Sequence, residues 1–436
     1  MGKRLILILV LAFVAGLTCA ALAETQNVKV GGDLTIQGVA RNNFDLANGN
    51  PGDKVDDNAS FLLSHVRVRV DADLTDNVSA TVRLLNERVW DAESTDTNEI
   101  DLDLAYVTLK EFLYSPLTLT LGRQELRFGN GLIIGDVDTN RDSVLSTDYV
   151  NDLSLRKAFD AMRATLNYDP AIIDLIYAKI NENTDVRNDD VDLYGVNVRY
   201  ALSDKNSVEG YFFAKKDSSE DKTDKVYVIG GLLSGSIIER LTGSLEYAYQ
   251  FGKKRDSDIT GNPINAKRRA WALQAMLNYS LPIAEKMLPN LGLAYTYLSG
   301  DKDLDGGKYK AWDPMFEDQT PNNITNALFA NTNVSVIRVC GSIKPLDSLT
   351  LSAVYGYYRL AQKIDSAAGA IDGPYGPYTA TNKKSLGNAL DLTATYDYTE
   401  DVQLGLTLGW FDPSKAFDKS CRHDATQVVG SMKVTF

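Results

Sequence analysis

Histidine is almost missing from this chain: His65 and His423 are the only two in 436 residues. Hydrolysis at a serine or metal centre draws on histidine as base or ligand. Neither a Gly-x-Ser-x-Gly elbow nor a His-Glu-x-x-His motif occurs, so the sequence does not read as an enzyme. Cysteine is nearly as scarce, with Cys19, Cys340 and Cys421, and their spacing is not that of a metal site. Long apolar runs are missing after the N-terminus, where no stretch approaches ~18 residues, which excludes a bundle of membrane helices. A basic footprint is lacking too. The net charge of −13 speaks against nucleic acid as a partner.

The abundant residues are 32 glycines and 22 tyrosines, set against 12 prolines. They suit an all-β chain with many turns. The first segment stands apart. Lys3 and Arg4 precede an uncharged apolar core from Leu5 to Leu17, and Ala21-Leu22-Ala23 supplies small residues for a signal peptidase. Residues 1–23 are therefore expected to be a cleaved signal peptide and 24–436 the mature domain. Cys19 leaves with the signal. Cys340 and Cys421 remain in an oxidising compartment, either as one disulfide or as two free thiols.

From Glu24 onward the pattern has period two. Val66, Val68, Val70, Ala72 and Leu74 share one face, while His65, Arg67, Arg69, Asp71 and Asp73 share the other. The alternation predicts eighteen strands, near 28–44, 60–74, 78–89, 99–112, 117–128, 158–168, 171–180, 192–201 and 207–216, then 225–234, 239–251, 267–281, 291–299, 333–344, 349–360, 388–398, 402–411 and 425–436. Short turns such as Thr75-Asp76-Asn77 and Asp169-Pro170 alternate with long polar segments, including 129–157, 252–266, 300–332 and 361–387. An even strand number with loops sorted by length is the mark of a transmembrane antiparallel β-barrel, with short periplasmic turns and long extracellular loops.

Aromatic residues support the same reading. Tyr247, Tyr249, Tyr295, Tyr297, Tyr355, Tyr357 and Trp410 fall at the upper ends of ascending strands. Tyr168, Tyr200, Tyr279, Tyr396 and Tyr398 fall at the lower ends of descending ones, giving two interfacial belts. The final Lys433-Val434-Thr435-Phe436 is similar to the terminal signal read by the outer-membrane assembly machinery. The expected location is the outer membrane of a Gram-negative-type bacterium, in contact with the lipid bilayer and lipopolysaccharide. The absence of a flat apolar face leans towards a monomer.

Strand parity turns a set of charges into the lumen: Arg67, Arg69, Arg83, Arg163, Arg199 and Arg338. On the fifth strand parity would send Arg123, Glu125 and Arg127 towards lipid with Leu117, Leu119 and Leu121. Charges facing lipid at mid-bilayer cost about 2–4 kcal/mol each. A bulge at Gly122 is therefore expected, turning these three charges inward and Leu126 and Phe128 outward. Guanidinium donors match carboxylates two at a time, so the lumen would offer weak sites to an anionic solute. Alternatively, the arginines pair with Asp71, Asp101, Asp103 and Glu125 and only stiffen the wall. The acidic excess falls mostly in the loops.

The run Gly122-Arg123-Gln124-Glu125-Leu126-Arg127-Phe128-Gly129, then Leu132-Ile133-Ile134-Gly135-Asp136 and Arg156-Lys157-Ala158-Phe159-Asp160-Ala161-Met162-Arg163, resembles the alginate-export family of outer-membrane porins. The pieces Leu298-Ser299-Gly300-Asp301-Lys302-Asp303 and Trp312-Asp313-Pro314-Met315-Phe316 are similar to its later loop. Ala161 departs from that pattern, where glycine is usual. The resemblance implies an eighteen-stranded barrel with an arginine-rich, anion-selective pore for small anions or anionic saccharides, and it adds Asp160 to the pore lining. A non-conducting structural or adhesive surface barrel is the competing reading. Two smaller signals lie in the loops. Asp301, Asp303 and Asp305, followed by Gly306, form half of a calcium loop, with Trp312 where its glutamate would stand, so any Ca²⁺ site there would be loose and extracellular. Gly373-Pro374-Tyr375-Gly376-Pro377-Tyr378 reads as a turn-rich loop at the mouth.

Overall fold

The computed structural model describes residues 27–47, 58–91, 100–138, 148–182, 189–219, 223–257, 263–302, 307–364, 370–373 and 377–436. The expected signal peptide lies outside these residues. Eighteen long strands run β1 Asn27–Asn42, β2 Ala59–Thr75, β3 Val78–Val89, β4 Asp101–Leu109, β5 Leu117–Glu125 and β6 Ala158–Asn167. They continue as β7 Ala171–Asn181, β8 Val191–Ser203, β9 Asn206–Asp217, β10 Asp224–Ile238, β11 Leu241–Ser257 and β12 Pro263–Ser280. The last six are β13 Asn290–Leu298, β14 Val334–Leu346, β15 Leu349–Leu360, β16 Ser385–Asp397, β17 Val402–Pro413 and β18 Ala425–Thr435.

Each strand pairs antiparallel with its sequence neighbours, and β18 returns to β1 from Asp33↔Thr435 to Asn42↔Thr426. Closure is completed by the last residue. Gly32 N donates to Phe436 O at 2.8 Å, and Phe436 N donates to Gly32 O at 3.0 Å. In hydrocarbon an unpaired strand edge is costly, and closing the sheet removes both edges.

The alternation read from the sequence appears as two surfaces. Val66, Val68, Val82, Leu84, Leu175, Val196, Leu245, Leu406 and Leu408 are exposed on the outside. Arg83, Asp174, Asn197, Glu209, Glu246 and Gln274 are buried on the inside. Belt aromatics stack on one another: the Trp271 and Tyr297 rings lie 4.4 Å apart and the Tyr177 and Tyr194 rings 5.2 Å apart.

Several strands depart from their expected lengths, β5, β11 and β12 among them. The segment 252–266 is mostly ladder, because β11 and β12 stay paired from Gly252↔Arg268 to Ser257↔Pro263. Its basic residues stand above the lipid, where nothing penalises charge on a strand. The fifth strand ends at Glu125 because the chain then turns into the barrel.

An arginine placed on the outer wall should be costly, and one on the inner wall should not. Leu406→Arg is expected to lower unfolding stability in lipid by about 2–4 kcal/mol, while its neighbour Thr407→Arg changes it by under about 1 kcal/mol. Equilibrium denaturant titration in lipid vesicles checks this; equal losses would put both residues on the same surface.

Candidate functional site

What fills the barrel is built chiefly from two inward-folded connections, the described residues 126–138 and 148–157 of one and 299–302 and 307–333 of the other, with Phe44, Leu46, Tyr378 and Phe417 of further loops buried in the same cluster. Leu132, Ile133 and Ile134 have no strand period, yet all three are buried inside the barrel with Leu126 and Phe128. Phe128 packs on the inward Phe213 at 5.6 Å between rings, and Phe159 meets Phe316 edge-on at 5.7 Å.

Polar wall residues anchor the first loop at its tip. Gly129 N donates to Glu209 Oε1 at 2.8 Å, and Asn130 N donates to Glu246 Oε2 at 3.0 Å. The Asn130 amide reaches Gln274 Oε1 at 3.0 Å. Gly129 has φ +56, and a Cβ there would stand 2.5 Å from Glu246 Oε1, so glycine is required.

The second loop zips onto the first through backbone. Gly135 N and Asp136 N both donate to Phe316 O, Phe316 N to Ile133 O, and Asp318 N to Gly131 O. It is also tied to the wall. Gln250 and the Asp313 backbone exchange two hydrogen bonds, at 2.7 and 2.9 Å. The short helix α1, Asn323–Leu328, presents its first N–H to Asp391 Oδ2 at 2.7 Å. These anchors make the plug part of the barrel.

Where the loops meet, carboxyls are crowded. Burial pushes the Asp136 carboxyl up to about 7, opposed by the Asp138 N–H that donates to it and by Lys157, with the charges of Asp138 and Asp318 adding smaller rises. Burial likewise pushes Glu317 up to about 8, against a hydrogen bond from Asn331 and helped by Asp318 and Asp136. Burial alone would raise Asp313 as well, but Lys215 and Arg268 hold it at about 2. Lys157 donates to Asp318 at 2.6 Å, and Arg127 pairs with the same carboxylate.

The arginines singled out from the sequence are placed as follows. Arg67 and Arg69 face the lumen beside Asp33 at 2.9 Å and Asp71 at 2.7 Å. Arg83 lies between Asp103 and Glu125, and Arg163 bonds Asp174 at 2.8 Å. Arg199 sits 3.5 Å from Glu209. Arg338 donates to the Pro321 carbonyl at 2.9 Å, so it supports the second loop from beneath.

The register flip expected at Gly122 does not occur. Gly122 has φ +119, but the ladders run through it unbroken as Tyr106↔Gly122↔Ala161 and Ala105↔Arg123↔Asp160. Arg123, Glu125 and Asp160 therefore share the outer-facing register with Leu121 and the exposed Met162, and none lines the lumen by its backbone register, although Glu125, at the strand end, still pairs with Arg83. They pair with each other at 3.0 Å, which lowers the cost that motivated the flip. Leu126 and Phe128 point inward, not to lipid. Arg127 reaches the inside only because the chain has by then left the strand.

Of the proposed calcium ligands, Asp301 accepts from Lys310 N at 2.8 Å, while Asp303 and Asp305 lie outside the described residues. Residues 374–376 of the tyrosine-rich loop also lie outside them, and Tyr378 is buried, donating to the Phe44 carbonyl at 2.9 Å. Cys340 and Cys421 are free thiols. Asn130, Asp318, Gln319 and Asp391 were not foreseen. The apolar run Leu132-Ile133-Ile134 inside a polar loop was the signal that the loop folds inward.

A closed eighteen-stranded wall, an apolar outer face with aromatic belts and loops folded into the lumen define an outer-membrane channel of the porin type. Comparison with known proteins agrees. Residues 26–431 match the family described as alginate export, and the chain belongs to that family. Its members are channels, not enzymes, and this chain resides in the Gram-negative outer membrane. Among solved structures the barrel is similar to Pseudomonas aeruginosa OpdO, with TM-score 0.58, 10% identity and coverage of 95% of this chain and 98% of that one. Acinetobacter baumannii OccAB4 gives TM-score 0.57 at 12% identity, covering 95% and 99%. The outer membrane protein OprD from Pseudomonas aeruginosa gives 0.55 at 11%, covering 95% and 96%. No curated protein matches the chain.

Carboxyls whose pKa is raised on docking hold their proton more tightly in the packed plug. Their stabilisation is complete below the ordinary carboxylate range and is lost as pH rises through about 7 for Asp136 and about 8 for Glu317. Single-channel recordings from about pH 6 to about pH 9 should show rising flicker or conductance as the two loops part. Glu317→Gln, which stays neutral, should flatten that rise; an unchanged profile in the variant would assign the effect elsewhere.

Proposed function

We propose that this porin passes small anionic solutes or anionic saccharides by diffusion beside its inner loops. The observation that carries this reading is the way lumen guanidiniums are spent. Among the described residues Arg67 donates only through Nε, to Asp33, and Arg163 only through Nε, to Asp174, with its guanidinium over the Phe128 ring. Arg338 meets only carbonyl oxygens among the described residues. Each keeps terminal N–H groups for a passing carboxylate or phosphate, which guanidinium binds in a two-pronged fashion. The paired carboxylates keep these sites weak, and a conduit needs solutes to leave as readily as they enter.

A second set of groups suits the sugar part of such a solute. A cavity of 220 Å³ lies between the two loops and the wall of β17, β18 and β1, bordered by Thr320, Asn323, Asn326, Thr407 and Gln427. Amides and hydroxyls can exchange hydrogen bonds with sugar hydroxyls without adding charge. In this reading lipopolysaccharide surrounds the upper rim, and the assembly machinery engages the strand ending in Phe436.

Planar-bilayer recording in a potassium chloride gradient tests the proposal. Open-current steps with an anion-selective reversal potential are expected. Arg67→Gln, Arg163→Gln and Arg338→Gln combined should lower the anion-to-cation permeability ratio roughly twofold or more. A cation-selective wild type would overturn the arginine route, and absence of current steps would favour the non-conducting barrel.

A further inference from the structure

Between β4 and β5 the closed wall has a seam that is not fully zipped. The β4–β5 ladder runs from Leu109↔Leu119 only as far as Ala105↔Arg123. On either side the neighbouring ladders continue higher, β3–β4 to Leu85↔Asp101 and β5–β6 to Glu125↔Ala158. Among the described residues, Asp101 to Leu104 therefore have no ladder partner on the β5 side.

Two irregularities produce the parting. The β3–β4 register shifts between Arg83 and Leu84, leaving Asp103 as an extra residue. On β5, Gly122 adopts φ +119, and a Cβ there would stand 2.2 Å from the Ala105 carbonyl. Above it Gln124 is buried against the Thr120, Gly122 and Ala161 carbonyls, and Leu126 is buried in the interior cluster.

The height of the seam gives it meaning. Leu102 pairs with Leu84, which pairs with Val68, and all three are exposed on the lipid-facing surface. Unpaired backbone at that depth needs water or a polar group to satisfy it. The space is there: a cavity of 510 Å³ occupies the seam. It is bordered by Leu102, Ala105 and the outward Arg123–Asp160 pair on one side and by Asp101, Asp103 and Arg156 on the other. Arg156 itself bonds both Asp101 and the buried lumen residue Glu87. Charged side chains thus follow one another from Arg123 and Asp160 on the outer face to Glu87 in the interior.

We propose that this seam is a lateral port, joining the polar interior to the outer leaflet and holding the zwitterionic head group of a single-chain amphiphile. Two guanidiniums and three carboxylates line it, so a head group with one cationic and one anionic centre finds a partner for each. The apolar tail would lie outside along Val107 and Leu121. This goes beyond conduction along the barrel axis, and its failure would leave the axial channel untouched.

Thiol labelling and current block test it together. In a Cys340→Ser, Cys421→Ser background, Leu102→Cys and Ala105→Cys are labelled in proteoliposomes with a charged, membrane-impermeant methanethiosulfonate. A thiol reacts as thiolate and so needs water, so both should react at least about tenfold faster than the lipid-facing control Leu121→Cys. Dodecylphosphocholine below its micellar concentration should block the wild-type current. Arg123→Ala combined with Asp160→Ala should weaken that block at least about fivefold, because two of the charges facing the head group are removed. Labelling of Leu102→Cys and Ala105→Cys as slow as the control would overturn the port. Fast labelling with a block that the double variant leaves unchanged would overturn the head-group site.

Discussion

Everything in this molecule depends on one constraint: a backbone crossing hydrocarbon must find all its hydrogen-bond partners within the protein. The chain meets it by returning β18 to β1 and locking the junction with the Gly32–Phe436 pair. Once the sheet is closed, parity is set for every strand. Each alternate residue must tolerate lipid and each remaining one must tolerate the interior. The mean hydropathy of −0.20 is the average of those two demands and describes neither surface.

The same constraint explains why the chemistry sits in loops. Ladder residues can only project sideways from a fixed register, so a wall alone gives a wide polar tube. Narrowing it requires irregular backbone, and irregular backbone is tolerated at membrane depth only inside the protein. The described residues of the connections after β5 and β13 satisfy that condition. Their N–H groups are taken by Glu209, Glu246 and Asp391, and their carbonyls and N–H groups by each other. Wall carboxylates that parity marks as lumen-facing therefore serve first as anchors for the plug. Arginines are divided in the same way: Arg127 and Arg338 hold loops, while Arg67 and Arg163 pair with the wall carboxylates Asp33 and Asp174.

The wall was legible from the sequence because period two is a strong signal repeated eighteen times, and the alternation of short and long connections ordered the strands without any contact information. The aromatic belts were legible for the same reason, since their positions follow strand direction. The plug was not. Leu132-Ile133-Ile134 carries no periodicity, and apolar residues in a loop acquire meaning only when the opposite wall, here Phe213 and Ala248, is known to lie across from them. The fifth strand failed differently. The cost of an isolated charge at mid-bilayer does not apply to Arg123, whose partner Asp160 lies 37 residues away and directly opposite in register. A charge paired on the same face, beside a gap that can hold water, does not force a strand to flip.

That failure also shows how tightly the parts are coupled. Had Gly122 flipped the register, Leu126 and Phe128 would have faced lipid, and the first loop would have had no apolar stem with which to enter the barrel. Keeping the register sends Leu126 and Phe128 inward beneath the plug and leaves Arg123 on the outer face. The tip of β5 must lean towards the lumen to follow its loop, while β4 stays upright on β3 through the Asp103 bulge. The parting between them is the geometric consequence of folding a loop inward from one strand of a closed sheet. Narrowing the axial path and loosening the wall at β4–β5 are thus two results of the same bend.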